Sequence, residues 1–259
     1  MKKSSSRLLA SASTGIRFSE NLYSEVHDFA ETGTGASTLS PSAPGSASSP
    51  ITGIEVRLSQ VLVKDNRTPR IWPFPGLAGI YFLCIVVSDT EKKPVNIDLR
   101  GFEKVNDGDA LHIDRTLFYW KKKPGSKQDP APSQIHLFLC LIKSKEPLRD
   151  TGRMLKMVST DRSFKSAAGE LRKLLKKSGD LAALSGIVFN LAGTIGRWLG
   201  EVDDKPLLAW SQSFTDINGD FDVVGRTDKQ ASNQYASMSL SVLIRDAARE
   251  LGNSPAGKK

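Results

Sequence analysis

Cysteine is nearly absent from this 259-residue chain: Cys84 and Cys140 are all it has. Two cysteines make no disulfide framework. Both sit in apolar runs, GIYFLCIVV and IHLFLCLI, where they read as small buried hydrophobes suited to a reducing compartment. Histidine is as scarce. His27, His112 and His136 are the only three, and none has a partner at the spacing of metal ligands. No G-x-S-x-G elbow, H-E-x-x-H helix or phosphate-cradling glycine loop occurs, which leaves hydrolases and transferases without support and makes a non-enzymatic protein the expectation. No apolar run reaches the about 20 residues a membrane span needs. The start, MKKSSSRLLASAS, lacks the apolar middle of a secretion signal. A cytoplasmic location, peripheral to a membrane if the chain binds one, is therefore expected.

What the chain does have is unevenly placed positive charge. Net charge is +8. Residues 146–179 hold nine cations against four carboxylates, and 180–259 hold eight against ten. A segment that basic attracts anionic lipid, nucleic acid or an acidic protein, or simply forms a solvated helix face.

The first fifty residues read as non-globular. Within them Phe18, Leu22, Val26 and Phe29 recur at helical spacing, and Ser19 is placed to cap a short amphipathic helix. Residues 1–31 thus form an N-terminal segment whose helix would dock on its own body or on another subunit. TGTGASTLSPSAPGSASSP follows, so 32–50 reads as a flexible linker.

From Ile51 the apolar period becomes two. Ile54, Val56 and Leu58 alternate, then the phase shifts at Ser59–Gln60 to Val61 and Val63, which predicts a bulge. GIYFLCIVVSD and QIHLFLCLIKSKE read as strands buried on both faces, and KPVNIDLRGFEK, TLFYWKKK, PLLAWSQSFTDI, DFDVVGRT and ASMSLSVLIRD as further strands. The prolines of NRTPRIWPFPGLAG mark a loop that leaves Trp72 and Phe74 exposed or folded beneath it. Asp107–Gly108 and Asn218–Gly219 carry hairpin-turn chemistry. Eight or nine strands without alternating crossover helices predict a mainly β fold, an antiparallel sandwich spanning 51–246, with 247–259 as a tail.

Near residues 147–200 the pattern turns helical, predicting an insertion of two to three helices. Phe164, Leu171, Leu174 and Leu175 accompany Lys165, Arg172, Lys173, Lys176 and Lys177. Leu181, Leu184, Val188, Leu191, Ile195 and Trp198 form one face of a second, uncharged helix. That helix is either buried, covered by a neighbouring subunit or inserted into a bilayer. Asp216, Asn218, Asp220 and Asp222 suggest a calcium loop, but Phe221 and Thr227 stand where an EF-hand needs Gly and Glu.

LCLIKSKE and EVDDKPLLAW, together with IEVRLSQVLVKDN and IYFLCIVVSD, resemble segments of the C2 family of calcium- and phospholipid-binding β-sandwiches, over roughly 51–145 and 201–245. The resemblance implies a sandwich and makes Asp65, Asp203 and Asp204 the candidate metal ligands. Lys143 and Lys145 occupy positions where that family places loop aspartates. Such a loop would attract anions rather than concentrate a divalent cation, so no metal or other cofactor is expected.

Three functional expectations result. In the first, a C2-like binding module presents Lys165, Arg172, Lys173, Lys176 and Lys177, with Leu171, Leu174 and Leu175, to an anionic membrane or a membrane-associated protein. In the second, the chain is a subunit of a homo-oligomer or larger assembly, docked through Phe18, Leu22, Val26 and Phe29. In the third, the basic helix and Lys121, Lys122, Lys123 and Lys127 bind nucleic acid, with Tyr119 and Trp120 as the only aromatics beside the lysine run.

Overall fold

Strand β1 (Ile51–Val63) runs the length of one sheet and pairs along both its sides. In this computed structural model, residues 50–73, 76–90, 95–123, 130–144, 147–148, 150–175, 187–188, 191–192, 195 and 206–247 are described. The positions of the expected N-terminal helix (Phe18, Leu22, Val26 and Phe29), of the expected linker up to residue 49 and of the tail from residue 248 lie outside them.

The other strands are β2 (Ala78–Ser88), β3 (Val95–Val105), β4 (Ala110–Leu111), β5 (Arg115–Lys121), β6 (Gln134–Ser144), β7 (Leu208–Thr215), β8 (Gly225–Ser232) and β9 (Ala236–Asp246). They form two antiparallel sheets. One is ordered β4-β1-β9-β8, with β5 also on β1, and the other β3-β2-β6-β7. The β1–β9 register slips between Leu58 and Gln60, at the predicted phase shift, so Leu58 and Val61 both reach the core.

The hydrophobic runs of β2 and β6 are explained by a third layer. Ile80, Phe82, Cys84 and Val86 face the other sheet with Ile135, Leu137, Leu139 and Leu141. Tyr81, Leu83, Ile85 and Val87 face the opposite way with Phe138, Cys140 and Ile142, into a second core. That second core is roofed by helices α1 (Thr151–Thr160) and α2 (Arg162–Leu175), together with Val188, Leu191, Ala192 and Ile195. A strand buried on both faces needs no polar alternation, which is why these two read as continuous apolar runs. Cys84 and Cys140 point into different cores as free thiols, and burial pushes both thiol pKa values up.

Both predicted hairpins are corrected. Gly108 and Gly219 adopt φ of 85° and 70°, as the turn chemistry requires. Yet β3 and β4 lie in different sheets, as do β7 and β8. Each turn carries the chain across the sandwich instead of folding it back on its neighbour. DFDVV is likewise loop, and β8 begins only at Gly225.

The helical layer is fastened at its start. Leu148 rests on the glycines of β2 and β3: a Cβ at Gly79 would lie 3.1 Å from its Cδ2, and one at Gly101 would lie 3.0 Å from its Cδ1. Asp150 then caps α1, accepting from Gly152 N at 2.9 Å and Arg153 N at 3.2 Å. Asp161 ends α1 and accepts from Phe164 N at 3.1 Å to start α2. Gly79→Val is expected to cost about 1–3 kcal/mol through overpacking. The cost should shrink when Leu148→Ala is also present, because the crowded neighbour is gone. Urea unfolding of the two single variants and the double variant measures that coupling.

Candidate functional surface

Helix α2 turns its leucines inward. Leu171 is fully buried, Leu175 nearly so, and Leu174 and Phe164 pack half-buried on the same core. The expectation that Leu171, Leu174 and Leu175 meet a bilayer is therefore corrected: this apolar face is spent on Tyr81, Leu83, Ile85 and the rest of the second core. Val188, Leu191 and Ile195 of the uncharged segment are buried there too. Leu181, Leu184 and Trp198 lie outside the described residues.

The polar side of the layer faces solvent. Lys165 and Lys173 are exposed on α2, as expected. Arg162 on α2 and Arg153 and Lys156 on α1 join them, and these three were not singled out from sequence. Glu170 is the exposed carboxylate of the two helices. The Arg172 side chain, Lys176 and Lys177 lie outside the described residues. The missed signal is Asp150 at the N-cap, which marks α1 and so adds a second basic helix to the first.

Of the candidate metal ligands from the C2 resemblance, Asp65 is described, and it is engaged within its own loop. Asp65 Oδ1 accepts from Arg67 N at 2.7 Å, closing an Asx-type turn. Asp107 accepts from Asn66 N at 2.8 Å and pairs with Arg70 at 2.9 Å. Asp203 and Asp204 lie outside the described residues, as do Lys145 and Lys127. Lys143 Nζ donates to Arg67 O at 2.7 Å, so this ammonium braces the β1–β2 loop. Among the described residues no group of three or more His, Cys, Asp or Glu is placed to hold a metal. In the 216–222 turn, Asp220 Oδ2 accepts from Thr215 N at 2.8 Å. Lys121, Lys122 and Lys123 are exposed, but Trp120 is buried in the inter-sheet core, leaving Tyr119 as the exposed aromatic beside them. That removes one of the two stacking partners from the nucleic-acid expectation.

One buried polar cluster was not visible in the sequence. His136 Nδ1 lies 2.9 Å from Ser213 Oγ, and Nε2 lies 3.2 Å from Gln134 Oε1. Gln134 Nε2 donates to Leu175 O at 3.4 Å, tying the end of α2 to the sheet. Because an amide oxygen only accepts, this pattern sets Nε2–H as donor and Nδ1 as acceptor from the serine hydroxyl. Burial lowers the His136 pKa from its ordinary 6.5, and the Asp89 charge opposes part of that. The unfolded chain therefore binds more protons than the folded one between the depressed value and 6.5. Stability is expected to fall as pH drops through that window and to be flat above it. His136→Gln should remove this slope in urea unfolding measured from about pH 8 to pH 5.

Among the described residues no helix is long and apolar enough to cross a membrane. Comparison of the chain with protein-family models and with curated proteins finds no match.

Proposed function

We propose that this chain is a non-enzymatic binding module that lays the basic outer face of its helical layer on an anionic membrane surface. The supporting observation is the outward set of Arg153, Lys156, Arg162, Lys165 and Lys173 on two helices whose apolar sides are already occupied. Each cation near an anionic leaflet contributes about 1 kcal/mol. With the leucines engaged in the core, attraction is electrostatic rather than insertional. Met157, 42% exposed on α1, is the apolar group left on that outer side.

The C2-type resemblance points in the same direction, a sandwich docking on phospholipid, but here lysine and arginine take the part that calcium plays in that family. Nucleic acid is the competing polyanion, and among the described residues the exposed side of the layer offers it cations without an exposed aromatic for stacking. Vesicle flotation tests the reading. Full-length protein is expected to float with phosphatidylserine-containing vesicles at low salt and to stay behind with neutral phosphatidylcholine vesicles. A wild type that floats with neither rejects it.

A further inference from the structure

The helical layer covers one sheet, while the outer face of the other turns Arg57, Tyr119, Lys121, Arg226 and Arg245 to solvent. On that face β5, β1 and β9 run side by side, and their register sets Lys121, Gly53 and Arg245 in one cross-strand row. The next row is Tyr119, Glu55 and Leu243. The two rows line a cleft of about 210 Å³, and Gly53 is its floor.

The glycine keeps the cleft open. Gly53 lies inside a strand, where the lack of a side chain weakens the sheet. Its φ is not positive, and a Cβ there would make only ordinary contacts, 3.7 Å to Trp120 O and 3.8 Å to Arg245 Cβ. The register with β9 slips just before it, but Thr52 is the extra residue there. Neither backbone conformation nor packing therefore requires glycine at this position. What remains is the other use of a strand glycine, close approach of a ligand to the backbone.

The walls supply the chemistry. Tyr119 is 62% exposed and offers a ring for stacking. Lys121 and Arg245 flank the floor from strands about 10 Å apart, two strand spacings. Glu55 Oε1 accepts from Thr116 Oγ1 at 2.7 Å, and a carboxylate has a second oxygen to offer a base amino group.

Neighbouring charges leave this corner positive. Lys121, Lys122, Lys123 and Arg245 stand against Glu55 and Asp246. Elsewhere on the face Arg57 is paired with Asp114 and Arg226 with Asp228. Asp216, Asp220 and Asp222 belong to the turn entering β8, on the far side of β9 from β5. Of these, Asp220 is turned onto Thr215 N and Asp222 lies against Gly219. We infer that the cleft binds single-stranded nucleic acid, one base stacked on Tyr119 above Gly53 and the flanking phosphates held by Lys121 and Arg245. Lys122 and Lys123 continue the phosphate track. A neutral sugar would use the tyrosine but not the cations, and a lipid phosphate the cations but not the tyrosine.

Full-length protein titrated into a fluorescently labelled single-stranded oligonucleotide of mixed sequence tests this by anisotropy. Wild type is expected to bind at low salt and to release the strand as salt rises. Tyr119→Ala should weaken binding at least about fivefold, and Tyr119→Phe should restore it. Gly53→Val should weaken it as much by filling the floor, with circular dichroism confirming the fold. That variant keeps every charge and the tyrosine, so it separates a cleft from a merely basic surface. Changing Lys156, Arg162, Lys165 and Lys173 to glutamine should leave oligonucleotide binding near wild type, which keeps this site distinguishable from the membrane surface. Three results overturn the inference: no binding by wild type at low salt, a duplex bound as tightly as the single strand, or Tyr119→Ala and Gly53→Val binding like wild type. Loss of vesicle flotation by Gly53→Val would also overturn it, assigning the cleft to a lipid headgroup.

Discussion

Leu171→Ala is expected to lower the unfolding free energy by about 2–5 kcal/mol while leaving vesicle binding by the folded protein unchanged. Leu171 is fully buried among Tyr81, Leu83, Phe138 and their neighbours, so truncation removes transfer energy and leaves a cavity under the helix. The spread reflects how far α2 can settle into the space, since this core is closed by short helices rather than by another sheet. If the leucine instead served a bilayer, truncation would weaken flotation and spare stability. Urea unfolding and flotation of the same preparation separate the two. Unchanged stability would mean that the helical layer is not seated on the sheet as described.

Changing Lys156, Arg162, Lys165 and Lys173 together to glutamine is expected to reduce affinity for anionic vesicles by up to several hundredfold. Four contacts of about 1 kcal/mol each give that figure as an upper bound. Exposed charges on flexible stems deliver less than a full contact, and the remainder is screened within about 10 Å at 0.1 M salt. Stability should hardly move, because all four side chains face water. The control replaces Lys122, Lys123, Lys229 and Arg245, exposed residues outside the helical layer, by glutamine. It lowers net charge by the same amount and should bind nearly as well as wild type. Equal losses in the two variants would make binding a matter of total charge and remove the helical layer from its role.

The fold was legible where a pattern had one structural meaning. Alternation of Ile54, Val56 and Leu58, its break at Ser59–Gln60, and the double-sided runs of β2 and β6 each led to the strand observed. The turns were half legible. Gly108 and Gly219 advertise their positive φ locally, but nothing nearby says whether the next strand returns to the same sheet or crosses to the other. The surface was the least legible. Basic and apolar residues interleaved on one helix look alike whether the apolar stripe meets lipid, a neighbour or the chain's own sheet.

Periodicity and composition alone sufficed for a β-rich chain with a basic helical insertion and two inert, sheltered thiols, because backbone pairing and apolar burial impose short-range repeats. Which partner each apolar face found was settled only by packing. Leu171 roofs β2 and β6, Trp120 turns into the sandwich, and Trp72 and Ile217 stand out in water at opposite ends. Those outcomes depend on contacts between segments tens of residues apart, and a local repeat carries no record of what lies across from it.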